Sequence, residues 1–158
     1  MSPRLPLSRV RERGAGGEGL SASTVNVFFD VDATIMGTYD EALRPGVREV
    51  FERLRADGHT IYIWSGVGLR WREIDRHELR PLIEGCFKKP IYDHHQRLAA
   101  LEVTVLPDFV VDDHPEVVEA FGGIAVRPFY LFDPRDREME RVYEAIAAFA
   151  SQRDQTDE

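Results

Sequence analysis

Two aspartates, Asp30 and Asp32, close the short apolar run Val25-Asn26-Val27-Phe28-Phe29. In extended backbone, residues two apart project to the same side, so both carboxylates face one spot. Their mutual repulsion makes such a pair costly unless a cation or phosphate chemistry uses it. A hard cation such as Mg²⁺ takes oxygen ligands and keeps several waters. Asp30 can then act as ligand and nucleophile, while Asp32 can protonate a leaving oxygen and later deprotonate a hydrolytic water. A D-x-D pair alone is a weak signal in a chain with 28 acidic residues. Three further polar clusters strengthen it. Ser65-Gly66 closes Thr60-Ile61-Tyr62-Ile63-Trp64, Lys88-Lys89-Pro90 follows Phe87, and Asp112-Asp113-His114 closes Phe109-Val110-Val111.

The elements that must position these groups alternate in type. The β-branched and aromatic runs at 25–29, 60–64 and 109–111 predict buried strands, with further strands near Phe87 and over Ile124-Ala125-Val126. Arg44-Pro45-Gly46 opens a helix whose Val47, Val50, Phe51 and Leu54 recur at helical spacing, and Asp57-Gly58 closes it with a left-handed cap. Helices are also expected from Leu69 to Leu79, from His94 to Leu101, from Pro115 to Phe121 and from about Arg135 to Phe149. Strands alternating with helices predict an α/β, Rossmann-like three-layer sandwich with a central, mainly parallel sheet. Such sheets bind ligands beyond the carboxyl ends of their strands, where Asp30, Ser65 and Asp112 fall.

Asp30-Val31-Asp32-Ala33-Thr34, Ser65, a lysine at 88 or 89 and Asp112-Asp113, in that order and each after its own strand or strand-like segment, resemble the four motifs of the haloacid dehalogenase superfamily. The segment from Leu43 to Gly66 is also similar to that family, and the resemblance spans roughly residues 25 to 130. It implies that Asp30 is a nucleophile forming an aspartyl-phosphate and that Asp32 is the general acid/base. It implies that Asp30, the backbone carbonyl of Asp32 and Asp112 hold Mg²⁺, with Asp113 in the adjoining shell. Ser65 and the amide of Gly66 would hydrogen-bond the transferring phosphoryl group. Thr34, inside the first motif, and His114, beside the acidic pair, are further candidates for substrate contact. Lys89, followed by Pro90 as in the family's frequent Lys-Pro pair, would neutralise developing charge. Ala33 stands where the family commonly has glycine.

Larger members of that family carry an inserted cap. Neither Ile35–Arg44 nor residues 66–88 can hold one, because independent folding below roughly 40 residues is rare. The chain therefore resembles a capless member with an open site. Such a site suits a bulky phosphomonoester, with a nucleotide or nucleic-acid phosphate among the candidates, or a lid supplied by a neighbouring subunit of an oligomer. A catalytically silent binding module and a phosphotransferase are the competing readings. A signalling receiver domain fits less well, since its lysine comes last whereas here it precedes Asp112-Asp113.

Composition bounds the rest. The chain has 158 residues, 43% of them hydrophobic, and a net charge of −8. That fits one folded domain, expected over 25–150, and disfavours general nucleic-acid or membrane affinity. Residues 1–24, with Arg4, Arg9, Arg11, Arg13 and four glycines, and residues 151–158 are expected to be flexible tails. The single Cys86 and an N-terminus without a signal peptide's apolar stretch point to a reducing, cytoplasmic setting. His94 and His95 read as a solvated helix start, and Trp71 as packing rather than a stacking platform. Tyr39 and Asp40 lie in the loop after the first motif, within possible reach of substrate.

Overall fold

The structure, a computed structural model, describes residues 23–156. Five strands form one sheet: β1 (Asn26–Phe29), β2 (Thr60–Ser65), β3 (Gly85–Lys88), β4 (Phe109–Asp112) and β5 (Gly123–Ala125). Their order is β3-β2-β1-β4-β5 and every pairing is parallel. The helices are α1 (Val47–Ala56), α2 (Trp71–Arg76), α3 (Pro115–Phe121) and α4 (Glu138–Thr156), with a 3₁₀ turn at Arg80–Leu82. This is the expected Rossmann-like α/β sandwich, and no inserted cap domain is present among the described residues. No helix among them is long and apolar enough to cross a membrane.

Strand alternation divides the core in two. Val27, Phe29, Ile61, Ile63, Phe109 and Val111 face the side covered by α1, α2 and α4. Phe28, Tyr62, Trp64 and Val110 face the other side, where they pack with Val117 of α3 and with Leu98 and Val103. Phe28 anchors that aromatic layer, with ring centroids 4.9 Å from Tyr62 and 4.8 Å from Trp64.

Local chemistry explains the helix limits. The helix α1 buries Val47, Val50, Phe51 and Leu54, and the left-handed Gly58 (φ 94°) closes it as expected. The helix expected from His94 to Leu101 is instead a series of turns over residues 93–102. Asp93 (φ 47°) and Glu102 (φ 62°) take left-handed conformations that bound the segment at its two ends, and so short an isolated stretch is marginal as a helix. Leu98 is still buried as the spacing predicts. The second helix is shorter than Leu69–Leu79 because Glu78 (φ 58°) turns the chain left-handed just past its end and the 3₁₀ turn at Arg80–Leu82, with Pro81 in it, takes over.

The last helix starts later than Arg135 and runs further than Phe149. Its Ser151–Thr156 turn, expected as part of a tail, is helical and tied down. The Asp154 carboxylate accepts the Ser23 N–H at 2.6 Å, and Arg153 pairs with Asp108 at 3.3 Å. The expected N-terminal tail lies outside the described residues, apart from Ser23 and Thr24.

Candidate active site

The strands β1 and β4 are neighbours from which the chain departs in opposite directions, through β2 on one side and β5 on the other. Their carboxyl ends form the crevice where open α/β sheets bind ligands. Asp30 leaves β1 with its N–H on the Val111 carbonyl at 3.0 Å. The chain then folds into a tight loop in which the N–H groups of Thr34, Ile35 and Met36 all point at the Val31 carbonyl, at 3.0–3.1 Å. Ala33 holds φ 65° in that loop, a left-handed conformation that glycine adopts more easily. Ser65 ends β2, and its carbonyl accepts the Lys89 N–H at 2.9 Å. Asp112 ends β4, fully buried.

At the centre the Lys89 ammonium donates to Asp30 Oδ1 at 3.0 Å and to Asp112 Oδ2 at 2.9 Å. Lys88, the other sequence candidate, is exposed on β3 and takes no part. Burial and the Asp112 carboxylate push the Asp30 carboxyl up to about 7, against the opposing pull of Lys89. Burial draws the Lys89 ammonium down, but the Asp30 and Asp112 carboxylates outweigh it and hold its pKa above the ordinary value. A positively charged Lys89 is thus wedged between two buried acids.

The remaining predicted residues surround this wedge. His114 donates its backbone N–H to Asp112 Oδ1 at 2.9 Å, and its ring Nδ1 lies 3.3 Å from that oxygen and 3.4 Å from Asp113. Thr34 departs from expectation. It is buried and does not line the cleft above the carboxylates, its hydroxyl 3.0 Å from Asp30 Oδ2 and 3.2 Å from Asp113 Oδ1. Its hydroxyl ties Asp30 to Asp113. Tyr39 and Asp40 do not line the site either. Tyr39 rests on Tyr130 with ring centroids 5.8 Å apart, and Asp40 accepts the N–H groups of Ala42 and Phe132. Trp71 packs against the core under the Arg80 guanidinium, 4.3 Å from its ring, as the packing reading anticipates.

Arg70 was not singled out by its sequence surroundings, yet it organises one wall. Its guanidinium grips Asp32 bidentately at 2.8 and 3.2 Å, reaches Ser65 Oγ at 3.1 Å and pairs with Glu73 at 3.2 Å. Bidentate Arg–carboxylate pairs fix geometry as well as charge. The only signal in the sequence is its place five residues after Ser65, in the loop that leaves the same strand.

Above the wedge opens a cleft of about 320 Å³, lined by Asp30, Asp32, Ser65, Gly66, Lys89 and His114 together with Val67, Ile91, Glu116 and Val117. The predicted catalytic residues are therefore brought to one cavity. The chain matches no protein-family model and no curated protein. What the site can do rests on its own geometry.

Asp30, Asp112, Asp113 and His114 each present a ligand atom within 4.8 Å of the others. Three carboxylates form a hard oxygen-donor set that fits Mg²⁺. Lys89 occupies only one oxygen of Asp30 and one of Asp112. The Asp32 carboxylate is outside this cluster, held by Arg70; the expectation for Asp32 as a metal ligand concerns its backbone carbonyl.

Proposed function

We propose that the chain is a magnesium-dependent phosphohydrolase that cleaves a phosphomonoester through an aspartyl-phosphate on Asp30. The observation that carries this reading is the Lys89 ammonium bridging Asp30 and Asp112 directly beneath an open cleft. A buried lysine with two acids would serve a core poorly, whereas it suits a dianionic group that arrives from solvent.

In the first half-reaction an Asp30 oxygen attacks phosphorus, forming the O–P bond as the bond to the alcohol oxygen breaks. Asp32 gives its proton to that departing oxygen. In the second, Asp32 takes a proton from water, and the water oxygen attacks phosphorus, releasing inorganic phosphate and restoring the Asp30 carboxylate. Lys89 balances charge on the phosphoryl oxygens, and Ser65 with the Gly66 amide holds them in place. When bound by Asp30, Asp112 and Asp113, Mg²⁺ offsets the negative charge gathered between carboxylates and phosphate. Thr34 and Arg70 keep Asp30 and Asp32 from turning away. The lone Cys86 is consistent with work in a reducing cytoplasm.

The test is magnesium-dependent release of phosphate from an aryl phosphate, comparing the chain with its Asp30→Asn variant. Activity that needs magnesium and disappears in the variant supports the reading. Activity that survives in Asp30→Asn rules out Asp30 as the nucleophile.

A further inference from the structure

The mouth of the cleft differs in character from its floor. Val67 is 79% exposed and Ile91 60% exposed, two aliphatic side chains held in water at the entrance. Ile91 leans over the Gly66 backbone, where a Cβ on residue 66 would come within 2.8 Å of Ile91 Cγ2. Val117 continues the apolar wall inward. Exposed aliphatic groups around a polar floor mark a surface that gains when an apolar group covers it.

Charge is distributed just as unevenly. Among the described residues lining the cleft, Lys89 is the sole cation, set against the carboxylates of Asp30, Asp32 and Glu116. Lys89 is committed to Asp30 and Asp112, and Arg70 behind the wall is committed to Asp32 and Glu73. Glu116, exposed on the first turn of α3, has no cationic partner among the described residues. Apart from the His114 ring, which lies against Asp112 and Asp113, the described lining offers no further cationic side chain to a second anion.

We infer that the cleft selects phosphomonoesters whose alcohol is apolar and carries no further negative charge. The inference rests on the phosphohydrolase reading and narrows it. Polyphosphates, bisphosphates and the ends of nucleic-acid strands fall outside this class, because each brings another anion toward Glu116. A monophosphate on an aromatic or aliphatic alcohol falls inside it.

Three aryl esters with the phosphate in the same place provide the test: phenyl phosphate, 4-tert-butylphenyl phosphate and 4-carboxyphenyl phosphate, assayed with magnesium. The tert-butyl ester is expected to gain several-fold in kcat/KM over phenyl phosphate, chiefly through KM. The carboxylated ester is expected to lose about tenfold or more, on the order of a single unscreened like-charge contact. Glu116→Lys should reduce that loss, and Ile91→Ser should remove the tert-butyl gain. Both side chains are exposed, so neither change disturbs the core. Equal kcat/KM for the three esters, or a preference for the carboxylated one, would overturn this inference while leaving the phosphohydrolase reading intact. No turnover of any ester by folded protein would overturn both.

Discussion

Replacing Asp30 by Asn should make the magnesium-free protein more stable near neutral pH while abolishing its turnover. Asp30 is only 5% exposed, and burial first, then Asp112, raise its carboxyl from 3.8 to about 7. Between those values the folded chain retains a proton that the unfolded chain has released. Wild-type stability therefore falls as pH rises through that window and levels off above it. Each pH unit is worth about 1.4 kcal/mol, which sets a ceiling of about 4 kcal/mol on the cost of the ionised carboxylate. That net cost already includes the opposing pull of Lys89, whose charged hydrogen bond Asn, like the protonated carboxyl, gives up. Lys89 retains Asp112.

The balance is a gain of up to about 4 kcal/mol above about pH 7.5, or as much as roughly 8–16 °C in Tm for a domain of this size. Thermal unfolding with a chelator should show that gap, and the gap should close near pH 4, where the wild-type carboxyl is protonated. Excess magnesium should then narrow that gap, since a ligand at about 100 times its Kd stabilises the native wild type by about 2.7 kcal/mol. An Asn variant less stable than wild type in chelator at about pH 8 would refute the reasoning. The carboxylate would then be a structural ion-pair partner rather than a group held against its electrostatic preference.

Four further outcomes follow from named contacts. Arg70→Met should release Asp32 and lower kcat/KM about 10- to 100-fold for alkyl phosphates, whose leaving oxygen needs a proton, but much less for 4-nitrophenyl phosphate. The same change in an Asp32→Asn background should cost little more; equal losses in both backgrounds would show that Arg70 does not act through Asp32. Asp136→Asn should destabilise by about 3 kcal/mol in chemical denaturation, because Arg44, 1% exposed, pairs with Asp136 at 2.9 Å and would be left as a buried charge. His59, whose Nδ1 accepts the Val25 N–H at 3.2 Å, has a pKa lowered by burial, with Asp57 opposing and Arg153 assisting. The unfolded chain then takes up the His59 proton first, so this contribution to stability is lost as pH falls below about 6.5, at most about 1.4 kcal/mol per pH unit. Read as the difference between wild type and His59→Gln, a slope that stays flat across that range would contradict it. Gly123→Ala should cost more than about 3 kcal/mol and loosen β5, because at φ 150° its new Cβ would sit 1.9 Å from the Val110 carbonyl oxygen; a wild-type Tm in that variant would count against the register.

How much of this was legible in the sequence depended on how local each cause is. The strands ending at Asp30, Ser65 and Asp112 could be read because apolar runs with polar stops are short-range signals, and their parallel order follows from alternation with helices. The turns at 93–102 could not, since Leu98 and Leu101 have helical spacing and only the backbone at Asp93 and Glu102 breaks it. The extra turns of α4 depend on Ser23, 131 residues away from Asp154. Nothing near Arg70 in the chain singles it out, because its main partner, Asp32, lies 38 residues earlier. Thr34 lay inside the motif, but its burial is a property of the loop.

The lysine pair marks where geometry takes over from pattern. Lys88 is the last residue of β3, paired with Ser65, and neighbouring side chains on a strand point to opposite faces. Only one of the two can turn over the end of β1. Lys89, its N–H fixed to the Ser65 carbonyl, is the one whose stem crosses the sheet end to reach Asp30 and Asp112. Moving the cation one residue back, as in a Lys88 with Lys89→Met chain, should therefore not rescue the site. The Lys88 ammonium would leave from the wrong face, and Asp30 and Asp112 would face each other without a counter-charge.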